Sequence, residues 1–232
     1  MRFCRCEMLI GADALENLKN SSVAVFGVGG VGGYVVEALT RSGVGRIAII
    51  DKDVVDESNI NRQIVALTST IGKNKVDVMK QRMLDINPDV KVEAHCEFYL
   101  PDNADFIELG SFDYVVDAID NVTAKIELIK RCKQADVPII SAMGAGNKLD
   151  PTRIEIADIS KTSVCPLAKV IRRKLADLGI EGVTVAYTRE IPANASGGRT
   201  PASMMPVPAA MGLTMASKVL RDLSGMQIKS RS

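Results

Sequence analysis

A glycine-rich segment near the amino terminus constrains the fold more than any other feature of this chain. It reads Gly27-Val-Gly-Gly-Val-Gly-Gly33, follows the apolar run Ser22–Phe26, and precedes a stretch of helical apolar periodicity through Leu39. A strand that enters a helix through such a turn exposes backbone N–H groups at the helix N-terminus, where a phosphate can bind. The next apolar run, Arg46–Ile50, ends at Asp51, which is placed to accept hydrogen bonds from a ribose. We therefore predict a nucleotide-binding βαβ unit whose contacts include Gly27, Gly29, Gly30, Gly32 and Asp51.

The segment after this unit carries more cations and amides than a dinucleotide site needs. In a dehydrogenase the pyrophosphate rests mainly on backbone N–H groups and the helix dipole. A triphosphate attacked at its α-phosphorus needs fixed cations that hold the charge developing on the leaving pyrophosphate. Arg62 and Lys75 are of a suitable type, and the carboxylate of Asp120 suits a magnesium ion. Further candidates for contact with the nucleotide are Asp53, Asn59, Gln63 and Asp117, of which Asp117 could equally well cap the following helix.

Apolar runs and helical periodicity alternate along the chain. The predicted strands of the first part are Val23–Phe26, Arg46–Ile50, Val90–His95, Tyr114–Asp117 and Val137–Ser141, and the predicted helices are Ala12–Lys19, Val31–Ser42, Lys73–Ile86 and Val122–Gln134. Right-handed crossovers then build a doubly wound, mostly parallel, Rossmann-like α/β sheet. We expect residues 1–150 to form the ATP-binding domain and residues 151–232 to form a C-terminal α/β extension that completes the same fold. The extension is predicted to contain strands Arg153–Ala157 and Val183–Thr188, helices Leu167–Leu178 and Pro208–Leu223, and a mobile loop near 189–206.

Several motifs follow one another in a fixed order. They are the glycine turn, Asp51-Lys-Asp53, Ser58-Asn-Ile-Asn-Arg-Gln63, Gly72-Lys-Asn-Lys75 and Val116-Asp-Ala-Ile-Asp-Asn121. In this order and spacing they resemble the ThiF/MoeB superfamily of ubiquitin-activating-like adenylyltransferases, which use ATP and magnesium to activate a carboxylate as an acyl-adenylate. The resemblance implies that Asp51 holds the ribose and that Asp120 binds the metal. Asn59, Arg62 and Lys75 would then serve the phosphates.

The first residues carry a further part of this resemblance. Arg2-Phe-Cys-Arg5 is similar to the opening motif of the family. The likeness implies a homodimer in which Arg5 crosses the interface and reaches the ATP of the partner chain. Arg5 is therefore a fourth catalytic candidate, beside Arg62, Lys75 and Asp120.

Segments spread over nearly the whole chain narrow the resemblance to one group within the superfamily. They include Ala38–Gly45, Gly144-Ala-Gly146, Asp150-Pro-Thr152 and Asp158-Ile-Ser-Lys-Thr162, and they are similar to the tRNA threonylcarbamoyladenosine dehydratases. The likeness implies a tRNA substrate and an ATP-dependent cyclisation of the hypermodified adenosine beside the anticodon, through an acyl-adenylate of its carboxylate. Cys165 stands where this group is expected to have an aspartate, so the role of that position stays open.

Two other functions stay open on the sequence. One is adenylation of the C-terminal glycine of a sulfur-carrier protein in the molybdopterin or thiamine pathway. Enzymes of that kind commonly hold zinc with two Cys-x-x-Cys pairs, and this sequence has none. The other is a nicotinamide-dependent oxidoreductase or a non-catalytic nucleotide sensor, which would not need the residues from Asn59 to Gln63 or Lys75. The sequence also leaves open whether a sulfur-transfer protein docks and whether a monovalent cation binds beside magnesium.

The charge balance argues against a protein that coats nucleic acid. The chain has 29 basic and 28 acidic residues and a net charge of +1. A local basic patch is compatible with this balance, and Lys169, Arg172, Arg173 and Lys174 are candidates for one. No apolar run of roughly eighteen residues and no signal-peptide pattern occurs, so we predict a cytoplasmic protein without membrane contact. The single histidine, His95, is expected to be structural.

Overall fold

The protein folds around a seven-stranded sheet with helices on both faces. The computed structural model describes residues 2–193 and 201–226. The strands are β1 (Ser22–Phe26), β2 (Arg46–Ile50), β3 (Lys91–His95), β4 (Tyr114–Asp117), β5 (Ile139–Ala142), β6 (Ile154–Asp158) and β7 (Thr184–Thr188). The α-helices are α1 (Cys4–Ile10), α2 (Ala12–Asn20), α3 (Gly32–Arg41), α4 (Lys75–Ile86), α5 (Val122–Gln134), α6 (Pro166–Asp177) and α7 (Pro206–Ser224). The predicted α/β class is confirmed.

The strand order places a ligand-binding crevice between β1 and β4. The sheet runs β3-β2-β1-β4-β5-β7-β6, and every neighbouring pair is parallel except the antiparallel pair β6 and β7. From β1 the chain first winds outward to β3 and then returns to build the other half, so the direction of winding reverses between β1 and β4. Phe26 pairs with Ile50 on one side and with Asp117 on the other, so these three strands end at one level. Ligands of open α/β sheets bind at such a carboxyl edge.

Two buried apolar clusters lie on opposite faces of the sheet. Val23 and Val25 of β1 belong to the cluster that α3, α4 and α7 cover, whereas Ala24 and Phe26 belong to the cluster under α5 and α6. Every residue of β1 is buried, as expected for a parallel strand with helices on both faces. The glycine turn is therefore held by a strand that has no exposed side chain.

The predicted strands and helices all occur, and their ends differ from the predicted ends by two residues at most. Two features were not predicted. One is α1, a seven-residue helix with no buried residue and no side-chain cap. Because no face of this helix is buried, its sequence has no apolar periodicity. The other is the antiparallel direction of β6. Both strands of the C-terminal part join the sheet, which supports our proposal that residues 151–232 complete the fold of residues 1–150.

The loop predicted near 189–206 lies partly outside the described residues, because 194–200 are not described. Its two described ends meet at Asn147, a residue with a left-handed backbone (φ 58°). The Asn147 carbonyl accepts from Ala193 N at 2.8 Å, and the Asn147 side chain accepts from Ala202 N at 2.7 Å. The described helices include none that is long and apolar enough to cross a membrane.

Candidate functional site

The glycine turn lies at the carboxyl end of β1, and two of its glycines are required by the fold itself. Gly27 has a φ of 90°, and a Cβ atom there would lie 2.7 Å from the carbonyl oxygen of Ala118. A Cβ atom on Gly32 would lie 1.8 Å from the carbonyl oxygen of Gly27. Both positions must therefore be glycine to let the turn close against the end of β4.

Gly29 and Gly30 of the same turn have room for a side chain. A Cβ atom on Gly29 would lie 3.7 Å from Nε2 of Gln63, and one on Gly30 would lie 3.4 Å from Cγ of Arg62, which are ordinary van der Waals distances. The protein alone does not require glycine at either position. Glycine there leaves the backbone N–H groups open, as close approach of a phosphate needs.

Asp51 ties this turn to the end of β2. Its Oδ2 accepts a hydrogen bond from Val28 N at 2.7 Å, and its Oδ1 accepts from Asp53 N at 2.9 Å. The carboxylate thus lies at the crevice with both oxygens fixed by backbone donors. Each oxygen keeps a lone pair, so Asp51 can still accept a ribose hydroxyl.

Lys75 is the first residue of α4, and its ammonium group is largely buried. Its side chain is 6% exposed, and Nζ lies 2.8 Å from Oδ2 of Asp53, whose side chain is 51% exposed. A positive charge at the N-terminus of a helix opposes the helix dipole, so this position costs stability. Lys75 and Asp53, both predicted site residues, form one ion pair at the carboxyl edge.

Arg62 lies beside Gly30 and is held by neutral acceptors. Its Nη1 donates to the carbonyl oxygen of Ser58 at 2.9 Å and to Oδ1 of Asn61 at 2.9 Å. In the described part of the chain Arg62 makes no ion pair. A fixed guanidinium without a carboxylate partner keeps its charge available for an anion.

Asn59 and Gln63 support the same loop. Asn59 is buried, and its Oδ1 accepts from the backbone N–H of Asp56 at 3.2 Å, which closes a short 3₁₀ turn over Glu57–Asn59. Gln63 is 8% exposed, and its buried Oε1 has no hydrogen-bond partner among the described residues. A buried acceptor without a donor is destabilising, and a donor from a bound molecule would remove that cost.

Asp117 has no exposed surface, which corrects its predicted role as a nucleotide contact. Its Oδ2 lies 2.9 Å from Lys125 Nζ and 2.6 Å from Ser141 Oγ, and its Oδ1 accepts from Ile119 N at 3.1 Å. Asp117 and Lys125 are both 0% exposed. The alternative, that Asp117 caps α5, is also wrong, because the side chain of Asn121 caps that helix. Asp117 instead fixes the turn that follows β4.

Asp120 is the end of that turn and is exposed. Within residues 2–193 and 201–226 no three His, Cys, Asp or Glu side chains are arranged to hold a metal. Magnesium does not need such a cage, because it usually keeps several waters and binds one or two carboxylates together with substrate phosphates. A single exposed carboxylate at this end of the sheet therefore fits this ion.

A model described as the ThiF family matches residues 3–232. The chain belongs to the ThiF family. It is 49% identical to the tRNA threonylcarbamoyladenosine dehydratase of Bacillus subtilis over 96% of this chain and 94% of that protein. It is similar to crystal structures of Escherichia coli TcdA, a tRNA N6-threonylcarbamoyladenosine dehydratase, in complex with AMP and with ATP, at 35% identity and a TM-score of 0.91, covering 97% of this chain and 94% of that one. A sulfur carrier protein adenylyltransferase of Thermus thermophilus is 40% identical over 48% of this chain and 41% of its own length.

Arg5, a predicted site residue, lies far from the glycine turn of its own chain. It lies on α1, and Cys6 of that helix contacts the carbonyl oxygen of Arg41 at the end of α3. Arg2, just before α1, donates to the carbonyl oxygen of Ile86 at the end of α4. Both helix ends lie at the amino edge of the sheet, opposite the glycine turn. Arg5 therefore does not reach the site of its own chain.

Cys165 is the N-cap residue of α6 and is 3% exposed. It packs close to Gly144, where a Cβ atom would lie 3.4 Å from Sγ.

The other cysteines show no sign of chemistry either. Burial raises the pKa of the Cys132 thiol, which is therefore not a reactive group. Cys96 is exposed. His95 packs against the ring of Phe106, with centroids 5.6 Å apart.

Sequence reasoning missed Lys125 and did not commit to Asn61. Lys125 lies on the buried stripe of α5, together with Ala124, Leu128 and Ile129. A lysine within an apolar stripe could have indicated a buried ion pair from the sequence. Asn61 accepts from Arg62 and donates from Nδ2 to the carbonyl oxygen of Ser203 at 2.8 Å. No sequence pattern indicates that contact, because it joins segments that are far apart in the chain.

Proposed function

We propose that this protein is an ATP-dependent tRNA threonylcarbamoyladenosine dehydratase. One observation carries the proposal: Arg62 and Lys75, two fixed cations, lie with the open glycine turn and Asp120 at a single edge of the sheet. That set exceeds what a dinucleotide needs and suits a triphosphate. The similarity to dehydratases over nearly the full length of both chains supports the substrate.

The substrate carboxylate must first be activated, because a free carboxylate is a poor electrophile whose anionic oxygen does not leave. A carboxylate oxygen of the modified adenosine attacks the α-phosphorus of ATP, and the bond to pyrophosphate breaks, which leaves an acyl-adenylate. An amide-type atom within the same modification then attacks the acyl carbon and expels AMP. The substrate has lost the elements of water, and ATP has become AMP and pyrophosphate. Because ring closure is intramolecular, it needs positioning rather than an enzyme nucleophile.

Each group at the edge has a role in this reaction. The N–H groups of Gly29 and Gly30 hold phosphate oxygens, and Asp51 accepts a ribose hydroxyl. Arg62 and Lys75 stabilise the charge that develops on the departing pyrophosphate. Asp120 would hold magnesium, which supplies positive charge to the phosphates.

The main alternative is adenylation of a sulfur-carrier protein. It uses the same ATP site, and the T. thermophilus relative of that type matches about half of this chain. The dehydratase is favoured because its relative matches both chains almost completely and because this sequence lacks Cys-x-x-Cys pairs. Addition of a sulfur-transfer protein or of a monovalent cation to the pyrophosphate-exchange assay tests whether either takes part. We place the protein in the cytoplasm, where tRNA is its substrate.

Exchange of labelled pyrophosphate into ATP tests the proposal. We expect exchange with threonylcarbamoyl-modified tRNA and none with a sulfur-carrier protein; exchange with the carrier alone would contradict the proposed substrate. Lys75→Ala should lower the exchange rate roughly 10²- to 10³-fold, the usual effect of removing one fixed electrostatic donor. Lys80→Ala removes an exposed lysine of the same helix and is the matched control. An undiminished rate in Lys75→Ala would refute the phosphate role.

We also propose a homodimer in which Arg5 completes the ATP site of the partner chain. The helix α1 has no buried residue, and Met8 and Leu9 on it are 79% and 80% exposed. Two clefts of about 760 and 990 Å³ adjoin Arg2 and Phe3 beside it. Purified heterodimers of Arg5→Ala and Lys75→Ala chains should recover part of the activity, since one of their two sites has both residues. Heterodimers as inactive as either parent would count against a shared site.

A further inference from the structure

Residues 161–174 carry an unusual charge. They contain Lys161, Lys169, Arg172, Arg173 and Lys174, and no acidic residue, in a chain whose net charge is only +1. Ala168, Ile171 and Leu175 form the buried face of α6. Lys169 and Arg173 are four residues apart, so they lie one above the other on the exposed face of the helix, with Lys174 beside them.

The exposed cations of α6 have a single acidic residue on the same helix, Asp177, four residues after Arg173. Arg172 turns inward and donates to the carbonyl oxygen and the hydroxyl of Thr162. In the part of the chain that the structure describes, the remaining four cations form no ion pair. On the other helices, arginine or lysine pairs with a nearby carboxylate: Arg41 and Arg82 with Glu37, Arg131 with Glu127, and Lys218 with Asp222. An exposed face stabilised by internal ion pairs therefore does not explain α6.

The helix α6 begins at the carboxyl edge of the sheet. Cys165, at the start of α6, packs against Gly144, two residues after the end of β5 at the carboxyl edge of the sheet. From that edge α6 extends for roughly 18 Å at 1.5 Å per residue. A row of cations thus leads away from the edge at which the ATP site lies.

We propose that the exposed face of α6, with Lys161, Lys169, Arg173 and Lys174, binds the phosphate backbone of the RNA whose modified adenosine enters the site. This inference rests on the proposed function, since it assigns the surface that the tRNA substrate contacts. The groups are spaced along a helix rather than gathered in a pocket, and few aromatic side chains occur in the chain. The face therefore recognises charge and shape rather than base identity.

The salt dependence of tRNA binding tests this assignment. For Lys169→Gln/Arg173→Gln we expect at least about a fivefold weaker binding near physiological salt. The slope of log K against log salt concentration should fall by about 1.4 to 1.8, because two phosphate contacts are lost. Lys80→Gln/Lys91→Gln removes two exposed cations, one on α4 at the opposite face of the sheet and one at the amino edge, and should leave the slope unchanged. Equal slopes for the two double variants would overturn the assignment.

Steady-state kinetics separate this inference from the proposed function. If the wild-type protein cyclises modified tRNA, the α6 variant should raise the KM for tRNA by about the loss in binding and leave kcat and the KM for ATP unchanged. A loss of kcat without a change in the KM for tRNA would contradict the inference while the proposed function stands. A wild-type protein with no activity on modified tRNA refutes the proposed function and, with it, this surface as its substrate contact.

Discussion

The buried pair of Lys125 and Asp117 makes a quantitative prediction. Both side chains are 0% exposed and their charged atoms are 2.9 Å apart. Lys125→Met leaves a carboxylate in the core without its cation, and removing one partner of such a pair costs about 3–5 kcal/mol. For a chain of this size 1 kcal/mol corresponds to about 2–4 °C in Tm, so we expect a fall of roughly 6 to 20 °C. Asp117→Asn, which leaves the ammonium unpaired, should cost a similar amount.

The double variant Asp117→Asn/Lys125→Met isolates the charges from the hydrogen bonds. Asparagine at this position can still accept from Ile119 N through Oδ1, and its Nδ2 can donate to Ser141 Oγ in place of the Lys125 ammonium, so both neighbours keep a hydrogen bond. We therefore expect the double variant to lie within about 2 kcal/mol of the wild type, well above either single variant. Urea unfolding of all four proteins gives the coupling energy directly. Additive losses in the double variant would refute the reasoning.

The same four proteins test what the pair does for the site. Asp117 fixes Ile119, and Ala118 lies directly against Gly27 of the glycine turn. Because the double variant keeps the hydrogen bond to Ile119, its KM for ATP should stay within about tenfold of the wild type. A stable double variant with no ATP binding would show that the charges themselves act on the nucleotide.

Four further variants test three separate features. Gly29→Ala should keep the wild-type Tm but weaken ATP binding about tenfold in calorimetry, whereas Gly32→Ala, whose Cβ meets a backbone oxygen at 1.8 Å, should lower the Tm. Asn61→Ala removes an acceptor of the candidate phosphate cation, so kcat/KM for ATP should fall severalfold at constant Tm, and an unchanged value would contradict the link. Burial raises the pKa of Glu37, but hydrogen bonds from Arg82 and Arg41 outweigh it and hold the pKa below the ordinary 4.5. Its stabilisation is therefore present above pH 4.5 and is lost as the pH falls through the lowered pKa, so Glu37→Gln should melt lower than the wild type at pH 7 and converge with it once Glu37 is protonated.

The sequence predicted the fold because each parallel strand is an apolar run and each crossover helix has a buried stripe. The strand β1, with five buried residues, is the clearest case. The antiparallel direction of β6 could not be predicted, because its residues are all half-buried and its pattern is the same in either direction. The helix α1 was missed because none of its side chains is buried in a single chain.

The candidate site was predictable where a motif is local and not where tertiary packing decides. Asp51 and the glycine turn follow from a strand–turn–helix pattern that is continuous in sequence. Asp117 was assigned to the nucleotide because it ends a strand at the carboxyl edge, and only the structure shows that its side chain turns into the core toward Lys125. Its neighbour Asp120, three residues later, is the exposed carboxylate. The sequence places both carboxylates at the ligand edge of the sheet but does not say which one turns into the core.

Features that weaken the folded chain gather at one edge of the sheet. They are the ammonium of Lys75 at the start of α4, the unpaired Oε1 of Gln63, and the buried charges of Asp117 and Lys125. Each is unfavourable for an isolated protein. None is required by the sheet, whose strands are filled by apolar side chains. An anionic ligand with hydrogen-bond donors opposes the first two costs directly, because it supplies negative charge to the ammonium and a donor to the carboxamide. The site is therefore built for a molecule that carries both, as a nucleoside triphosphate does, and ATP should raise the Tm of the wild type more than that of Lys75→Ala.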